Sequence, residues 1–303
     1  MTYFYGLMTA LWLCCVSFSA NGQESSNLQW HGYFSQGITQ SIDSDFITSD
    51  NQISAELTEI GLNGLYQVAS NISIAGQVVY LDGGNRFEQG SRLDYLFIDW
   101  TVDDIAGWQA QIHLGRYKNS HWLYSVTRDV PQTRDTAVLP QSVYFDGFRD
   151  VALGSNGIQT RFSKYTDNHV WEVNWSYGRS TINEEQRDYL LGSLALGEIK
   201  QDFVHQFSVF WQPASMNWKL GASWLDSDFE YIPLEQDNRF AGMSNIRRFM
   251  ISMQYFSENW ELSSELLREI QDFNGVFTPD YYDKRTGEGG FVQLRYLFSP
   301  RFS

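Results

Sequence analysis

A period of two in apolar residues runs through most of this chain and narrows its fold more than any other feature. In 169–178, Trp171, Val173, Trp175 and Tyr177 share one face and Glu172, Asn174 and Ser176 the other. In 202–212, Phe203, Phe207, Val209 and Trp211 oppose Gln206, Ser208 and Gln212; in 216–225, Trp218, Leu220, Ala222 and Trp224 oppose Lys219, Gly221 and Ser223. The stretches 246–256, 259–270 and 290–298 repeat the pattern, with Phe249, Ile251, Leu262, Leu266, Val292 and Leu294 on the apolar face and Glu261, Glu265, Glu269, Gln293 and Arg295 opposite. Such alternation makes strands with one apolar and one polar face. With weaker alternation in 28–38, 55–68, 71–81 and 91–102, and further strands at 107–117 and 157–163, the chain holds about twelve strands.

The connections alternate as well. Ser41 to Asn51, Asp82 to Gly90, Ser180 to Lys200, Ser227 to Asn245 and Gln271 to Gly289 are long, whereas Ala69-Ser70, Asp103 to Gly107, Lys164 to Asn168, Pro213 to Met216 and Ser257 to Asn259 are short. Short turns at one end and long loops at the other are the mark of a transmembrane antiparallel up-and-down β-barrel. Composition supports this: aromatic residues reach 16% although mean hydropathy is −0.36, and no apolar run approaches the ~18 residues of a membrane helix. A barrel reconciles these facts, because alternate residues face water and lipid while aromatic girdles mark the two interfaces. A net charge of −15 argues against nucleic acid as a partner.

Residues 1–22 have the outline of a secretory signal peptide, an apolar run from Leu7 to Phe18 followed by small residues, although no Lys or Arg precedes the run. Cleavage after Ala20 or Gly22 leaves a mature barrel of residues 23–303. Both cysteines, Cys14 and Cys15, fall in the signal, so the mature chain has neither a disulfide nor a thiolate metal site.

Between the strands at 107–117 and 157–163 lies a connection without apolar period, residues 119–153. It carries Trp122, Tyr124, Val138, Leu139, Val143, Tyr144, Phe145 and Phe148, too many large apolar groups to remain solvated, so it must fold onto something. It also repeats Thr127-Arg128-Asp129 as Thr133-Arg134-Asp135 and closes on Arg149-Asp150.

The order of strands and the motifs G-R-Y-K at Gly115–Lys118, T-R-D-V-P-Q-T-R-D at Thr127–Asp135 and L-P-Q-S-V-Y-F-D at Leu139–Asp146 resemble the Gram-negative outer-membrane general porins, in particular porin-like proteins of marine gammaproteobacteria. The resemblance implies a water-filled diffusion channel for small hydrophilic solutes and ions, set in the outer membrane against lipid and lipopolysaccharide, without cofactor or metal. It makes residues 119–153 the constriction loop. A homotrimer is expected through the wall formed by 28–117, because apolar groups on both faces suit an outer face against other subunits and an inner face against the folded-in loop. There Leu96, Ile98 and Trp100 oppose Leu93, Tyr95 and Phe97, apolar on both faces. Porins of this kind have about sixteen strands and end on an aromatic residue. This chain ends Phe298-Ser299-Pro300-Arg301-Phe302-Ser303, which leaves two readings open, a truncated sixteen-stranded barrel or a twelve-stranded one closing near Phe298.

For the constriction, the candidates are Arg128, Asp129, Arg134, Asp135, Asp146, Arg149 and Asp150; for the lumen wall, Arg161, Glu172, Lys219, Arg248, Glu261, Glu265 and Arg295. Opposed charges there would set a transverse field with a slight preference for cations, and Arg149-Asp150 is better suited to anchoring the loop. No catalysis is expected. Ser155-Asn156-Gly157 resembles the motif of outer-membrane phospholipase, but Leu153 stands where that family has its histidine. Glu261, Glu265 and Glu269 are ~13 Å apart at each four-residue step of a strand, too far to share a small ion. The alternatives to a channel are a barrel hydrolase and a secreted β-rich binding protein.

Overall fold

The computed structural model describes residues 27–49, 53–134, 136–149, 151 and 154–298, and the expected signal peptide, residues 1–22, lies outside them. Twelve antiparallel strands follow one another in chain order, each paired with its sequence neighbours. They are β1 (Leu28–Gln40), β2 (Ile53–Ala69), β3 (Ile72–Leu81), β4 (Gly90–Ile105), β5 (Trp108–Lys118), β6 (Gly154–Tyr165), β7 (His169–Arg179), β8 (Glu198–Pro213), β9 (Trp218–Ile232), β10 (Gly242–Phe256), β11 (Trp260–Gly275) and β12 (Tyr282–Tyr296). Among the described residues no ladder joins β1 to β12. The sheet wraps around residues 119–134 and 136–149, which touch Tyr33 on β1 and Gly290 on β12.

The period of two decides which side chains meet lipid. Phe34, Ile38, Leu62, Ile74, Ile98, Leu114, Phe249, Ile251, Leu266, Val292 and Leu294 stand exposed on the outer face. Their strand neighbours Gln77, Asn174, Ser176, Gln206, Ser208, Ser252 and Ser263 are buried on the inner face. An exposed apolar belt around a polar interior is stable only in a bilayer, and barrels of this class sit in the outer membrane, where this chain is placed. No helix of the described residues is long and apolar enough to cross a membrane. Trp108, Trp218 and Trp260 open their strands at the short-turn end, where a girdle is expected.

Three local features differ from the sequence reading. The first is at β4, where Gln77 pairs with Tyr95 and Val78 with Leu93, so Asp94 is an extra residue. This β-bulge turns Leu93 outward beside Leu96 and leaves Tyr95 and Phe97 as the inward aromatics. The second is the length of the outer hairpins. β11 and β12 run on to Asn274 and Tyr282, with Gln271 opposite Arg285 and Asp272 opposite Lys284, so the expected loop from 271 to 289 shrinks to 276–281. Polar cross-strand pairs continue a ladder above the membrane as well as apolar ones do. The third is a helix, α1 (Glu184–Leu191), in the β7–β8 connection. Asn183 and Gln186 form a reciprocal capping box at its start, and Gly192 ends it at φ 80°.

Candidate functional site

Once past β5 the chain does not return along the outside. Asn119 donates to Gln206, and His121 sits between Ser208 and Ser176 at 2.9 Å from each hydroxyl, so the loop first crosses the inner faces of β7 and β8. It then reaches β11, where the Leu123 amide donates to Glu265 at 3.0 Å. Next it runs to the first strands of the sheet. There the Tyr33 hydroxyl donates to the Asp129 carbonyl, and Arg134 pairs with Glu59 on β2 at 2.5 Å. It comes back to β11 and β12, where Tyr144 donates to Glu265 and Ser142 to the Gly290 carbonyl. The loop therefore bridges the lumen, touching walls far apart in the sheet.

Two kinds of contact hold it. One is apolar: Trp122, Tyr124, Leu139, Val143 and Tyr144 pack on Met250, with Leu225, Leu267 and Phe291 around them. The inner face of β9 to β12 is thus apolar at loop height, which explains where the loop's large side chains go. Val138 is half-buried, Phe145 leans on Tyr189 of α1 with ring centroids 5.0 Å apart, and the Phe148 side chain lies outside the described residues.

The other contact is a buried ionic cluster. Lys118 lies 2.7 Å from Asp94 and 2.9 Å from Asp129; Arg149 pairs with Asp129 and stands 3.6 Å from Asp146; Asp146 also receives Arg128 and, at 3.1 Å, Arg86. The sequence reading had Arg128, Asp129 and Asp146 edging an open passage. That is corrected: they are 2 to 4% exposed and joined to partners, so they anchor the loop, as expected for Arg149. Arg134, paired with Glu59, is an anchor too. Asp135 and Asp150 lie outside the described residues. Lys118, which closes the G-R-Y-K motif, shares the task with Asp94, Glu59, Arg86 and Tyr33, which no motif flags. The extra residue at Asp94 and the inward parity of Glu59 and Tyr33 were the available signals.

Most of the lumen-wall candidates sit in cross-strand ion pairs. Arg161 is 3.8 Å from Glu172, Arg248 is 2.5 Å from Glu269, and Arg295 pairs with Glu261, each base meeting an acid on the next strand. Lys219 stands 4.7 Å from the Phe210 ring. Glu265 differs, being wholly buried under the loop where Leu123, Tyr144 and Ser252 all donate to it. Water-sized space remains on both sides of this seal. A cavity of about 330 Å³ lies between the loop, α1 and β8–β12, with Trp122, Arg128, Val204, Leu225 and Arg248 in its lining. Another of about 430 Å³ lies towards the short turns, beside Tyr124, Thr133, Glu261 and Arg295.

The serine of the Ser155-Asn156-Gly157 motif is buried and contacts Ser180 at 3.3 Å. Among the described residues, the Ser–His contacts at His121 are completely buried. Burial also holds the His121 imidazole down at about 3, neutral at physiological pH.

No family model matches the chain, and no curated protein matches it. Among solved structures it is similar to OmpT, an outer membrane protein of Vibrio cholerae, at 10% identity over 91% of this chain and 84% of that one, with a TM-score of 0.38. It is also similar to the outer membrane channel DcaP of Acinetobacter baumannii, at 10% identity over 89% and 97% of the two chains and a TM-score of 0.36. For OmpF of Salmonella typhi, in complex with daunomycin, the figures are 11%, 88% and 97%, and 0.35. These are outer-membrane proteins, but likeness this shallow carries no inference about what the chain does. The fold class rests on the strands themselves: an all-β, antiparallel, up-and-down outer-membrane barrel.

Proposed function

We propose that this protein is a porin, a non-enzymatic diffusion channel for small hydrophilic solutes and ions, in which residues 119–153 form the constriction. The observation that carries this is the course of the loop inside a wall lined by polar groups and ion pairs, from His121 against β7 and β8 to Arg134 against Glu59 on β2. A segment so placed lets solutes pass only around it, and selection is then by size and local field. Because Arg161, Arg248 and Arg295 of the wall are matched by Glu172, Glu269 and Glu261, their field is that of close pairs rather than of free charges.

Planar-bilayer recording of the purified protein tests the reading. Discrete conductance steps are expected, and deletion of Val126 to Leu139 should enlarge them, because it removes obstruction without removing a strand. A parent protein that inserts yet passes no current, with the deletion equally silent, would overturn it.

A further inference from the structure

The inner faces of β4 and β5 carry a contact that takes no part in seating the loop. Asp99 of β4 and His113 of β5 stand opposite one another in the ladder, and the Asp99 Oδ1 lies 3.4 Å from the His113 Nε2. Their strand neighbours Ile98, Trp100 and Leu114 are exposed on the outer face, so the pair belongs to the lumen wall, where its side chains are 21 and 15% exposed. The His113 ring is stacked on Phe97, with centroids 4.2 Å apart, which fixes its orientation.

The surrounding hydrogen bonds decide which nitrogen of His113 carries the proton. Gln159 of β6 donates its amide nitrogen to the Lys118 carbonyl and to the Ser120 hydroxyl, each at 3.0 Å. A carbonyl can only accept, so the Gln159 Oε1 is the acceptor on the other side, and the His113 Nδ1, 3.1 Å from it, is the donor. In the neutral ring that leaves Nε2 bare. A lone pair and a carboxylate oxygen therefore face each other, and Asp99 Oδ1 has no hydrogen-bond partner among the described residues. Two acceptors so placed repel unless a cation joins them.

The gap has the dimensions of a metal bridge. Zinc binds imidazole nitrogen and carboxylate oxygen at about 2.0–2.2 Å, and two bonds of about 2.05 Å across 3.4 Å meet at about 110°, close to the tetrahedral angle. A bridging water would stand about 2.8 Å from each atom, outside the gap, where Oδ1 is closed to it. A bonded metal ion stands only about 1 Å off the line joining the two atoms. The histidine is also prepared as metal-binding histidines are, its second nitrogen donating to a group that is itself held in place. Arg161, the next inward residue of β6, is held by Asn174 at 3.2 Å and lies 3.8 Å from Glu172, which balances its charge. Among the described residues no three His, Cys, Asp or Glu side chains are grouped to hold an ion, so this pair supplies two ligands and water the rest.

We infer that Asp99 and His113 bind a divalent transition-metal ion of the zinc class in the lumen wall, between the short turns and the root of the loop. Magnesium and calcium take oxygen ligands and are disfavoured by the imidazole. That such an ion is on its way through the barrel rests on the channel reading; that it binds does not.

The test is equilibrium dialysis of the whole protein against Zn2+, in detergent and without a histidine tag. The parent should retain one zinc ion that His113→Gln and Asp99→Asn each bind at least about tenfold more weakly, since even a partner behind a metal ligand is worth about 10–100-fold. An equal concentration of Mg2+ should not displace it. Because a change at His113 also disturbs Phe97 and Gln159, Asp99→Asn is the second variant: it keeps the side chain's shape, and its thermal transition should not rise with Zn2+ as that of the parent does. No zinc retained by the parent, equal retention by the parent and both variants, or displacement by Mg2+ would each overturn the inference. Bilayer recording then separates the two ideas. Zinc retained without conductance removes the channel and leaves the site, whereas conductance without retained zinc removes the site and leaves the channel.

Discussion

Tyr144 of the loop donates its hydroxyl to Glu265 of β11, across 121 residues of sequence, and the Tyr124 amide in turn donates to Tyr144 at 2.9 Å. One carboxylate on the wall thereby gathers two points of the loop, through Leu123 and Tyr144, and a neighbouring strand, through Ser252.

Glu265→Ala leaves those three donors without their acceptor in a buried place, at a cost of about 1–3 kcal/mol for a donor so stranded. The loop should lift from β11, seen as larger and noisier conductance and an earlier thermal transition in detergent. Tyr144→Phe should give a smaller effect in the same direction.

Asp129→Asn keeps the volume and removes a charge that faces both Lys118 and Arg149 inside the cluster. Breaking a buried pair on one side costs about 3–5 kcal/mol. The variant should therefore lose thermal stability while the reversal potential in a salt gradient hardly moves, the opposite of what a residue lining an open passage would do.

His121 makes loop docking sensitive to acid. Its imidazole is held neutral in the fold, down to about 3, whereas free histidine titrates near 6.5. Stability from this group is complete above about 6.5 and falls as pH drops towards 3, by about 1.4 kcal/mol per pH unit, because the unfolded chain takes up the proton first. Thermal transitions measured between pH 7 and pH 4.5 should decline more steeply in the parent than in His121→Gln. Parallel slopes would remove the assignment.

At Gly289, an added Cβ would lie 2.2 Å from the Ser142 carbonyl oxygen, where the loop presses on β12. Gly289→Ala should push that part of the loop off the strand and raise conductance. Gly287→Ala, two residues away with open space at its Cβ, should leave conductance unchanged.

The outer face of β1 to β4, with Trp30, Phe34, Leu62, Leu96, Ile98 and Trp100 exposed, is the wall through which we propose a homotrimer. Glutaraldehyde treatment of the purified protein should trap a species of three chains, and Leu96→Arg should reduce it to monomer. A parent protein that yields only monomer would set the proposal aside.

Most of the wall was legible in the sequence because strand parity is local: knowing that Trp171 faces out is enough to send Glu172 and Asn174 in. The fate of the loop's apolar side chains was legible as a need for burial, but not as an address. Met250, Leu267 and Phe291 look like ordinary strand residues until the fold brings them opposite Trp122 and Tyr144. The role of the charged loop residues was misread for a related reason. Whether Arg128 meets water or Asp146 depends on how tightly the loop is pressed down, which no local spacing expresses. Helix α1 was within reach, since Asn183 and Gln186 have capping-box spacing, but the surrounding polar composition reads as loop.

The contacts that seat the loop join residues made early to residues made late, as with Ser142 and Gly290, 148 positions apart. During biosynthesis the loop emerges long before β10, β11 and β12, so for a time its tryptophan and tyrosines have no wall to rest on. Such distant partners make for slow assembly and an interval of exposed apolar surface. Much of the loop's docking site thus belongs to strands that arrive after it, and forming that part of the wall and stowing the loop become one event.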